Sequence, residues 1–234
     1  MNMINNWYTI WNRKEITDTH KSILASLIAA DGFDTAYGGI EESAWIDYIQ
    51  RLAIKLGISP DDSVFEVGCG AGALLYPFYQ QGNPVAGIDY SAKLVKIAKD
   101  TMPKAAISLG EAIDISLENQ FDIVVSNSVF LYFPNYDYAA TVLHNMVKIA
   151  KKSIGVFEIP DLSKKSGALL MRKGMMGEAE YEEKYRGLDH LYFSKDWFRE
   201  VLANLSVEVT IEDQDIRGYG NSQYRFNVLI HQIL

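Results

Sequence analysis

Hydrophobic positions in the first sixty residues recur at the spacing of a helix. One apolar stripe occupies residues 17–30. A second runs from Trp45 to Leu56 at positions i, i+4, i+7 and i+11. Gly57 followed by Pro60 is a strong stop signal for the second stripe. The pattern therefore predicts a helical N-terminal segment.

From residue 63 onward, short apolar runs alternate with amphipathic stretches. This alternation is typical of right-handed βαβ units, which build a mainly parallel sheet covered by helices on both faces. Ser91 and Asn135 are good N-cap residues, whereas Pro77 implies that its helix is kinked, short or begins later than the apolar pattern suggests. The predicted strands cover residues 63–69, 84–89, 105–109, 121–127 and 153–159, and the predicted helices cover 71–81, 91–101 and 135–151.

The last forty residues follow a different pattern. An amphipathic helix over 194–205, capped by Ser194, precedes two strands over 207–212 and 224–233. A polar, glycine-containing loop between these strands favours an antiparallel pair. The expected fold class is therefore α/β, a three-layer sandwich around a mostly parallel seven-stranded sheet with an antiparallel C-terminal strand, plus N-terminal helices.

Composition and charge narrow the class of partner. The 234 residues carry a net charge of −8, which argues against nucleic acid and against a polybasic membrane anchor. The single cysteine, Cys69, excludes an internal disulfide and a multi-cysteine zinc site, and we expect no metal. Since neither a signal peptide nor an apolar run of about 18 residues is visible, we expect a cytoplasmic protein with no membrane partner.

The sharpest chemical signal is the run VFEVGCGAG at positions 64–72. A strand leads into three glycines at alternate positions and then towards a helix, whose first N–H groups are free and lie at the positive end of its dipole. Cys69 lies between the glycines and is expected to fill space in this loop rather than to act as a nucleophile. A glycine-rich turn alone is a weak indication of a nucleotide-like ligand.

Two carboxylates strengthen that indication. Glu66 lies inside an otherwise apolar strand, where an unpaired carboxylate is costly, so it should serve a cationic or hydrogen-bonding partner. Asp89 ends the second predicted strand, 21 residues after Gly68. An acid at this place can accept hydrogen bonds from both hydroxyls of a ribose.

Four segments in the same order resemble the motifs of class I S-adenosylmethionine-dependent methyltransferases, a family with a Rossmann-like fold. They are VFEVGCGAG at 64–72, GIDYS at 87–91, the turn Gly110-Glu-Ala112 and FDIVVSNSVFLYF at 121–133. The resemblance covers about residues 61–160. It implies S-adenosylmethionine as cofactor, with S-adenosylhomocysteine as product.

The resemblance also assigns roles to individual residues. Glu66 would contact the methionine ammonium, and Asp89 would hold the ribose hydroxyls. The three glycines Gly68, Gly70 and Gly72 would line the methionine and ribose portions, with Cys69 among them.

The remaining cofactor contacts come from the next three motifs. Tyr90 would cover one face of the adenine, while Glu111 would accept from its amino group and the Ala112 N–H would cap the ring. Asn127 and Ser128 would touch the methionine end.

Candidate catalytic residues are fewer. His190 lies just before the last predicted helix, in the region that caps the substrate pocket in similar methyltransferases, and could act as a general base. A histidine satisfied within a loop is the alternative. Tyr132 follows the fourth strand and would face the transferable methyl group.

The segments outside the motifs suggest covers for the site. Residues 1–60 would form a helical lid, from which Trp11 and Tyr37 could reach the cofactor, although ordinary packing is the alternative. Residues 61–234 would form the catalytic domain, with a mobile cap inserted at about 161–193. The basic residues of this cap, Arg172 and Arg186, leave an anionic substrate and a solvated loop as alternatives.

The predicted function is methyl transfer to an oxygen or nitrogen atom of a small molecule. Two alternatives remain open. Gly68-x-Gly70-x-x-Ala73 also satisfies a looser dinucleotide pattern, so an NAD(P)-dependent oxidoreductase is one of them. A non-catalytic protein that binds S-adenosylmethionine is the other.

Overall fold

A computed structural model describes residues 6–13, 22–33 and 39–233. The strands form one seven-stranded sheet in the order β3-β2-β1-β4-β5-β7-β6. Their bounds are β1 Val64–Val67, β2 Val85–Asp89, β3 Ala106–Leu109, β4 Phe121–Asn127, β5 Ala150–Pro160, β6 Val207–Asp213 and β7 Arg225–Gln232. The helices are α1 Asn6–Arg13, α2 Ile23–Ala30, α3 Glu42–Leu56, α4 Leu75–Gln81, α5 Ala92–Thr101, α6 Tyr136–Ile149, α7 Lys165–Met176, α8 Glu178–Lys184 and α9 Lys195–Leu202.

The direction of the strands confirms the predicted fold class. Strands β1 to β5 pair in parallel, with Val64 opposite both Val85 of β2 and Ile123 of β4. Strand β7 is antiparallel to β5 and to β6. The connections reverse direction between β1 and β4, and at such a switch point the carboxyl ends of the strands leave a crevice for a ligand.

Two apolar layers cover the sheet. On one face, α2 to α5 pack against the sheet, and the fully buried Trp45 donates its Nε1–H to the carbonyl oxygen of Ala73 at 2.9 Å. On the other face, α6 and α9 bury Met146 and Phe198. Helix α3 is therefore part of the same apolar core as the sheet.

Helix ends follow their capping residues. The side chains of Ser91, Asn135 and Ser194 accept from the backbone N–H three residues later, and Gly57 ends α3 with φ of 67°. Helix α4 begins at Leu75 rather than at residue 71. Pro77 thus lies in its first turn, where the missing N–H costs no intrahelical bond.

The expected mobile cap is largely helical. Helices α7 and α8 occupy most of the segment after β5, and an isolated parallel bridge between Asp161 and Phe193 joins the two ends of this segment. The buried residues of α7 are Ala168 and Arg172, which lie one helical turn apart. Throughout the described ranges, every helix is too short or too polar to cross a membrane.

Candidate functional site

Two adjoining cavities lie at the carboxyl ends of β1, β2 and β4. They share Gly68, Asp89, Tyr90, Val129 and Tyr132 as walls. The first cavity is lined by Trp11, Asp31, Phe33, Trp45, Glu66, Gly68, Cys69, Gly70, Ala73, Leu74, Asp89, Tyr90, Leu94, Asn127, Ser128, Val129 and Tyr132. The second is lined by Gly68, Ile88, Asp89, Tyr90, Gly110, Glu111, Ala112, Val129, Tyr132, Phe133, Pro134 and Tyr138.

The glycine loop after β1 forms one edge of these cavities. Gly68 and Gly70 line the first cavity in left-handed conformations, with φ of 71° and 53°. Gly72 also has a positive φ, but a Cβ at this position would meet the Cε of Met102 at 2.4 Å. Gly72 therefore serves close packing of the loop on α5 and lines neither cavity, and its predicted contact with a cofactor stays a prediction.

Asp89 holds the glycine loop and the start of α5 together. Its Oδ2 accepts from the N–H of Gly70 at 2.9 Å, and its Oδ1 accepts from the N–H of Ser91 at 2.7 Å. Burial raises the pKa of this carboxyl, and the two backbone hydrogen bonds oppose that shift. Asp89, the last residue of β2, is thus a buried structural acceptor as well as a wall of both cavities.

Asp31, just after α2, also contacts the glycine loop. Its carboxylate accepts from the N–H groups of Ala71 and Ala73 at 2.6 and 2.9 Å. A Cβ on Gly70 would approach Asp31 Oδ1 to 2.2 Å, so this contact requires glycine. Asp31 could not be identified from the sequence because it lies 40 residues before Ala71 and belongs to no local motif.

Glu66 lies at the inner wall of the first cavity. Its side chain is 3% exposed, and its Oε2 has no hydrogen-bond partner within the described ranges. Burial raises the pKa of Glu66 well above 4.5, and the neighbouring carboxylates of Asp31 and Asp89 add to the shift. The cavity therefore brings three carboxyl groups close together, and a cationic ligand group would favour their charged forms.

Cys69 packs inside the glycine loop. A Cβ on Gly87 would meet its Sγ at 2.8 Å, so the thiol lies tightly against β2. Burial raises the pKa of Cys69 well above 9.0, with further contributions from Asp89, Glu66 and Asp31. Because the thiolate is the reactive form, this environment opposes a nucleophilic role.

We expect the folded protein to resist alkylation at Cys69. At mildly alkaline pH, iodoacetamide should react roughly tenfold or more slowly than with an exposed thiol, since burial and the raised pKa both lower the reactive population. Mass spectrometry of the intact chain measures the rate. The same protein in denaturant is the control, and equal rates in the two states would contradict the buried position.

The second cavity brings together the residues expected around an adenine. Tyr90 and Ala112 line it beside Glu111, which begins a short 3-10 turn. The hydroxyl of Tyr138 donates to Glu111 Oε2 at 3.4 Å and accepts from the N–H of Ile113 at 3.3 Å. Tyr138 was missed from the sequence because it comes from α6 and reaches this turn only through the fold.

The end of β4 completes the first cavity. Asn127 is buried and its Oδ1 has no hydrogen-bond partner among the residues that the structure describes. Ser128 follows with a positive φ of 58°, a conformation uncommon outside glycine. By contrast, Ser126 donates to the carbonyl oxygen of Val67 at 3.0 Å and is fully buried.

Helix α1 lies across the mouth of the site. The hydroxyl of Ser91 donates to the carbonyl oxygen of Trp11 at 3.2 Å, and the Trp11 ring lies 5.7 Å from that of Tyr132. Trp7 contacts the other side, with its ring stacked on His190 at 4.8 Å. Tyr37 lies outside the described residues, so its predicted contact stays a prediction.

His190 and Tyr132 are brought together, with their ring centroids 5.5 Å apart. The guanidinium of Arg172 is 3.1 Å from His190 Nδ1. Because a guanidinium can only donate, Nδ1 is the accepting nitrogen and the proton of the neutral ring lies on Nε2. Burial lowers the pKa of His190 well below 6.5, and Arg172 and Arg225 lower it further.

The part of the chain that carries this geometry is similar to known proteins. A family profile described as a methyltransferase domain matches residues 65–154, which hold the glycine loop, Asp89 and Asn127. The malonyl-[acyl-carrier protein] O-methyltransferase of Priestia megaterium is 25% identical over 119 residues, 49% of this chain and 43% of that protein. The magnesium-protoporphyrin O-methyltransferase of Rhodobacter capsulatus is 33% identical over 90 residues, 35% of this chain and 40% of that protein.

The solved structures agree on the fold. The magnesium protoporphyrin IX methyltransferase of Synechocystis PCC 6803, crystallised with bound S-adenosylhomocysteine, superposes with a TM-score of 0.64. The alignment covers 98% of this chain and 95% of that one at 16% identity, so the likeness concerns the fold. The matched stretch spans less than half the length of the two curated relatives above.

Proposed function

We propose that this chain, which belongs to the class I S-adenosylmethionine-dependent methyltransferases, transfers a methyl group to an oxygen or nitrogen atom of a small-molecule acceptor. The observation that carries the proposal is the meeting of Glu66, Asp89 and Asn127 around one cavity at the switch point of the sheet. The named relatives are methyltransferases, which supports the same reaction type here.

The residues of the two cavities fit the cofactor of this family. Glu66 Oε2 and Asn127 Oδ1 are buried acceptors without hydrogen-bond partners in the described part of the chain, and an ammonium group would supply donors to both. Asp89 already accepts two N–H bonds, yet a carboxylate has about four acceptor sites and can still accept from a ribose. Trp11, Tyr90 and Tyr132 give the electron-rich wall that suits a sulfonium.

When bound, the cofactor supplies an electrophilic methyl group on a sulfonium that is already a good leaving group. The protein's contribution is then chiefly to position the acceptor and to exclude water. Tyr132 lies between the cofactor cavities and His190, and burial raises the pKa of its hydroxyl, so it stays protonated. It would orient an acceptor by packing and hydrogen bonding rather than by removing a proton.

His190 is better suited to donate a hydrogen bond than to act as the expected general base. Its Nδ1 is occupied by Arg172, and its Nε2 carries the proton of the neutral ring. The lowered pKa also makes protonation of this ring unfavourable. We infer that His190 helps to position the acceptor through its Nε2–H rather than deprotonating it, and that the base, where one is needed, is solvent.

The proposal retains the lid and the cap predicted from the sequence as covers of the site. Helix α1 contacts the cofactor side through Trp11 and the cap through Trp7. Trp7 also donates its Nε1–H to the carbonyl oxygen of Asp189 at 3.3 Å. These contacts support a cover in which α1 closes both halves of the site. A cytoplasmic location and the absence of nucleic-acid partners remain predictions.

We expect S-adenosylhomocysteine to stabilise the folded protein, and NAD and NADP to leave it unchanged. Ligand at about 100 times its dissociation constant should add about 2.7 kcal/mol to the free energy of unfolding. Thermal unfolding with each compound measures the effect. Stabilisation by NAD together with none by S-adenosylhomocysteine would overturn the proposal in favour of an oxidoreductase.

Methyl transfer itself separates an enzyme from a protein that only binds the cofactor. Labelled S-adenosylmethionine should transfer its methyl group to a component of a metabolite extract when the protein is added. Binding of S-adenosylhomocysteine without any labelled product would favour the non-catalytic alternative.

A further inference from the structure

A third cavity, of about 500 Å³, lies under the cap helices α7 and α8. This volume falls in the range of small-molecule sites. Four basic side chains line the cavity, whereas Glu182 and Asp189 are its two acidic ones. The basic residues are Lys165, Arg172, Lys173 and Arg186.

Arg172 is the unusual member of this set. Its side chain is buried, at 4% exposure, and no carboxylate lies within 4 Å of it in the described ranges. Its polar contacts are His190 Nδ1 at 3.1 Å and the hydroxyl of Tyr181, both uncharged. Glu158 attracts Arg172 at longer range, but the carboxylate of Glu158 contacts Arg225 instead. A buried cation that no carboxylate contacts is costly, and this favours a ligand with negative charge at this point.

Arg225 provides the contrast within the same region. It is equally buried, but its Nε lies 2.8 Å from Glu158 Oε2, and Tyr219 donates to the other oxygen of that carboxylate at 2.6 Å. Lys173 is also paired, with Glu178 at 2.8 Å and Glu182 at 3.3 Å. The surplus charge of the cavity is thus concentrated on Arg172 and on the exposed Lys165 and Arg186.

Further donors lie beside Arg172. His190 Nε2 carries a proton and is buried without a hydrogen-bond partner in the part of the chain that is described. The hydroxyl of Tyr192, a residue only 5% exposed, is in the same situation. A guanidinium, an imidazole N–H and a hydroxyl together form a donor set that matches the oxygens of a carboxylate or phosphate.

We propose that Arg172, His190 and Tyr192 bind an oxyanion group of the methyl acceptor. The ring centroids of His190 and Tyr132 are 5.5 Å apart, and Tyr132 lines both cofactor cavities. An acceptor anchored at Arg172 can therefore extend towards the transferable methyl group. That the bound molecule is the methyl acceptor rests on the proposed function. The anion site itself stands on the contacts of Arg172 and can be tested alone.

The test uses three small probes and the intact protein. Benzoate, phenyl phosphate and uncharged benzamide are titrated calorimetrically, each with and without S-adenosylhomocysteine. We expect benzoate or phenyl phosphate to bind at millimolar concentration and benzamide not to bind. The stronger of the two anions identifies the acceptor group as a carboxylate or a phosphate.

Arg172→Gln should weaken the bound anion roughly 10- to 100-fold, because hydrogen bonds to a charged partner are lost. Arg172→Lys should have an intermediate effect, since it keeps the charge and loses the planar fork. Arg186→Gln is the matched control from the exposed rim and should change the affinity less than about threefold. Without anion, Arg172→Gln should melt no lower than the parent protein, since an unpaired buried charge is removed.

Two results would overturn the anion site. One is the absence of binding by both anions, and the other is equal binding by Arg172→Gln and the parent protein. S-adenosylhomocysteine should bind all variants with unchanged affinity. A parent protein that binds benzoate but not S-adenosylhomocysteine would disprove the proposed function and leave the anion site intact.

Discussion

Asp89→Ala should weaken the binding of S-adenosylhomocysteine by roughly 10- to 1,000-fold. Hydrogen bonds to a charged partner contribute about 1.5–3 kcal/mol each, and 1.4 kcal/mol corresponds to a factor of ten. The carboxylate lines both cofactor cavities and would accept from the ribose hydroxyls. Calorimetric titration measures the loss directly.

The same substitution should also lower the stability of the protein without ligand. Asp89 accepts from the N–H groups of Gly70 and Ser91, and removing it leaves both donors in a buried place. Each unsatisfied donor costs about 1–3 kcal/mol. The spacing of Asp89 from the glycines does not reveal these backbone contacts, so this loss of stability can be predicted only from the structure.

Asp89→Asn separates the two effects. The amide keeps one acceptor oxygen, so one backbone bond and part of the ribose contact can persist, and both losses should be smaller than in the alanine variant. Unchanged affinity in Asp89→Ala would mean that the ribose lies elsewhere, and the assignment of the second motif would then be wrong.

Most strands of the sheet could be predicted from the sequence because each depends on a short run of neighbouring residues. The strand before the glycines, the helix caps at Ser91 and Asn135, and the apolar β4 each depend on residues close together in sequence. The cofactor side of the site follows from these elements, since the carboxyl ends of neighbouring parallel strands meet at one edge.

Contacts between distant segments could not be predicted in this way. Asp31 fits the glycine loop only because α2 packs beside it, and no spacing rule connects the two. The sequence predicted a mobile cap here, yet α7 is helical although Gly167 and Gly174 within it have low helix propensity. Burial of Ala168 and Arg172 along one face of α7 outweighs that propensity, and this burial is visible only in the folded chain.

The structure also distinguishes basic residues whose environments cannot be told apart from the sequence. Arg172 and Arg186 are equivalent in the sequence as basic residues of a polar segment. In the fold, Arg172 is buried beside His190 and Arg186 remains exposed. The choice between a solvated loop and an anion site therefore depends on how deeply each side chain is buried and on which groups contact it, and residue type alone shows neither.

Glu66→Gln should weaken S-adenosylhomocysteine by roughly 10- to 100-fold and remove a pH dependence of stability. The binding loss follows because the amide no longer attracts the ammonium group with a full charge. Titration calorimetry measures the affinity. Glu118→Gln, an exposed acid outside both cofactor cavities, is the matched control and should bind as the parent does.

The direction of the pH effect follows from the raised pKa of Glu66. The folded protein holds this proton more tightly than the unfolded chain, whose carboxyl has the ordinary value of 4.5. The contribution of Glu66 to stability is therefore complete below pH 4.5 and is lost as the pH rises from there through the folded pKa. Above that range the parent protein carries a buried charge that Glu66→Gln lacks. The free energy of unfolding of the variant should therefore not show this part of the decrease with rising pH.

In the parent protein, ligand binding should offset the destabilisation that the buried charge of Glu66 causes. An ammonium group beside Glu66 favours the charged carboxylate, so binding releases a proton wherever the free site is still protonated. Calorimetry in two buffers of different ionisation enthalpy counts the released protons, and Glu66→Gln should release fewer than the parent and the Glu118→Gln control. Equal release by all three proteins would show that Glu66 does not face the ammonium. Asp31, which also lines this cavity and contacts the glycine loop, would then be the carboxylate expected to contact the ammonium.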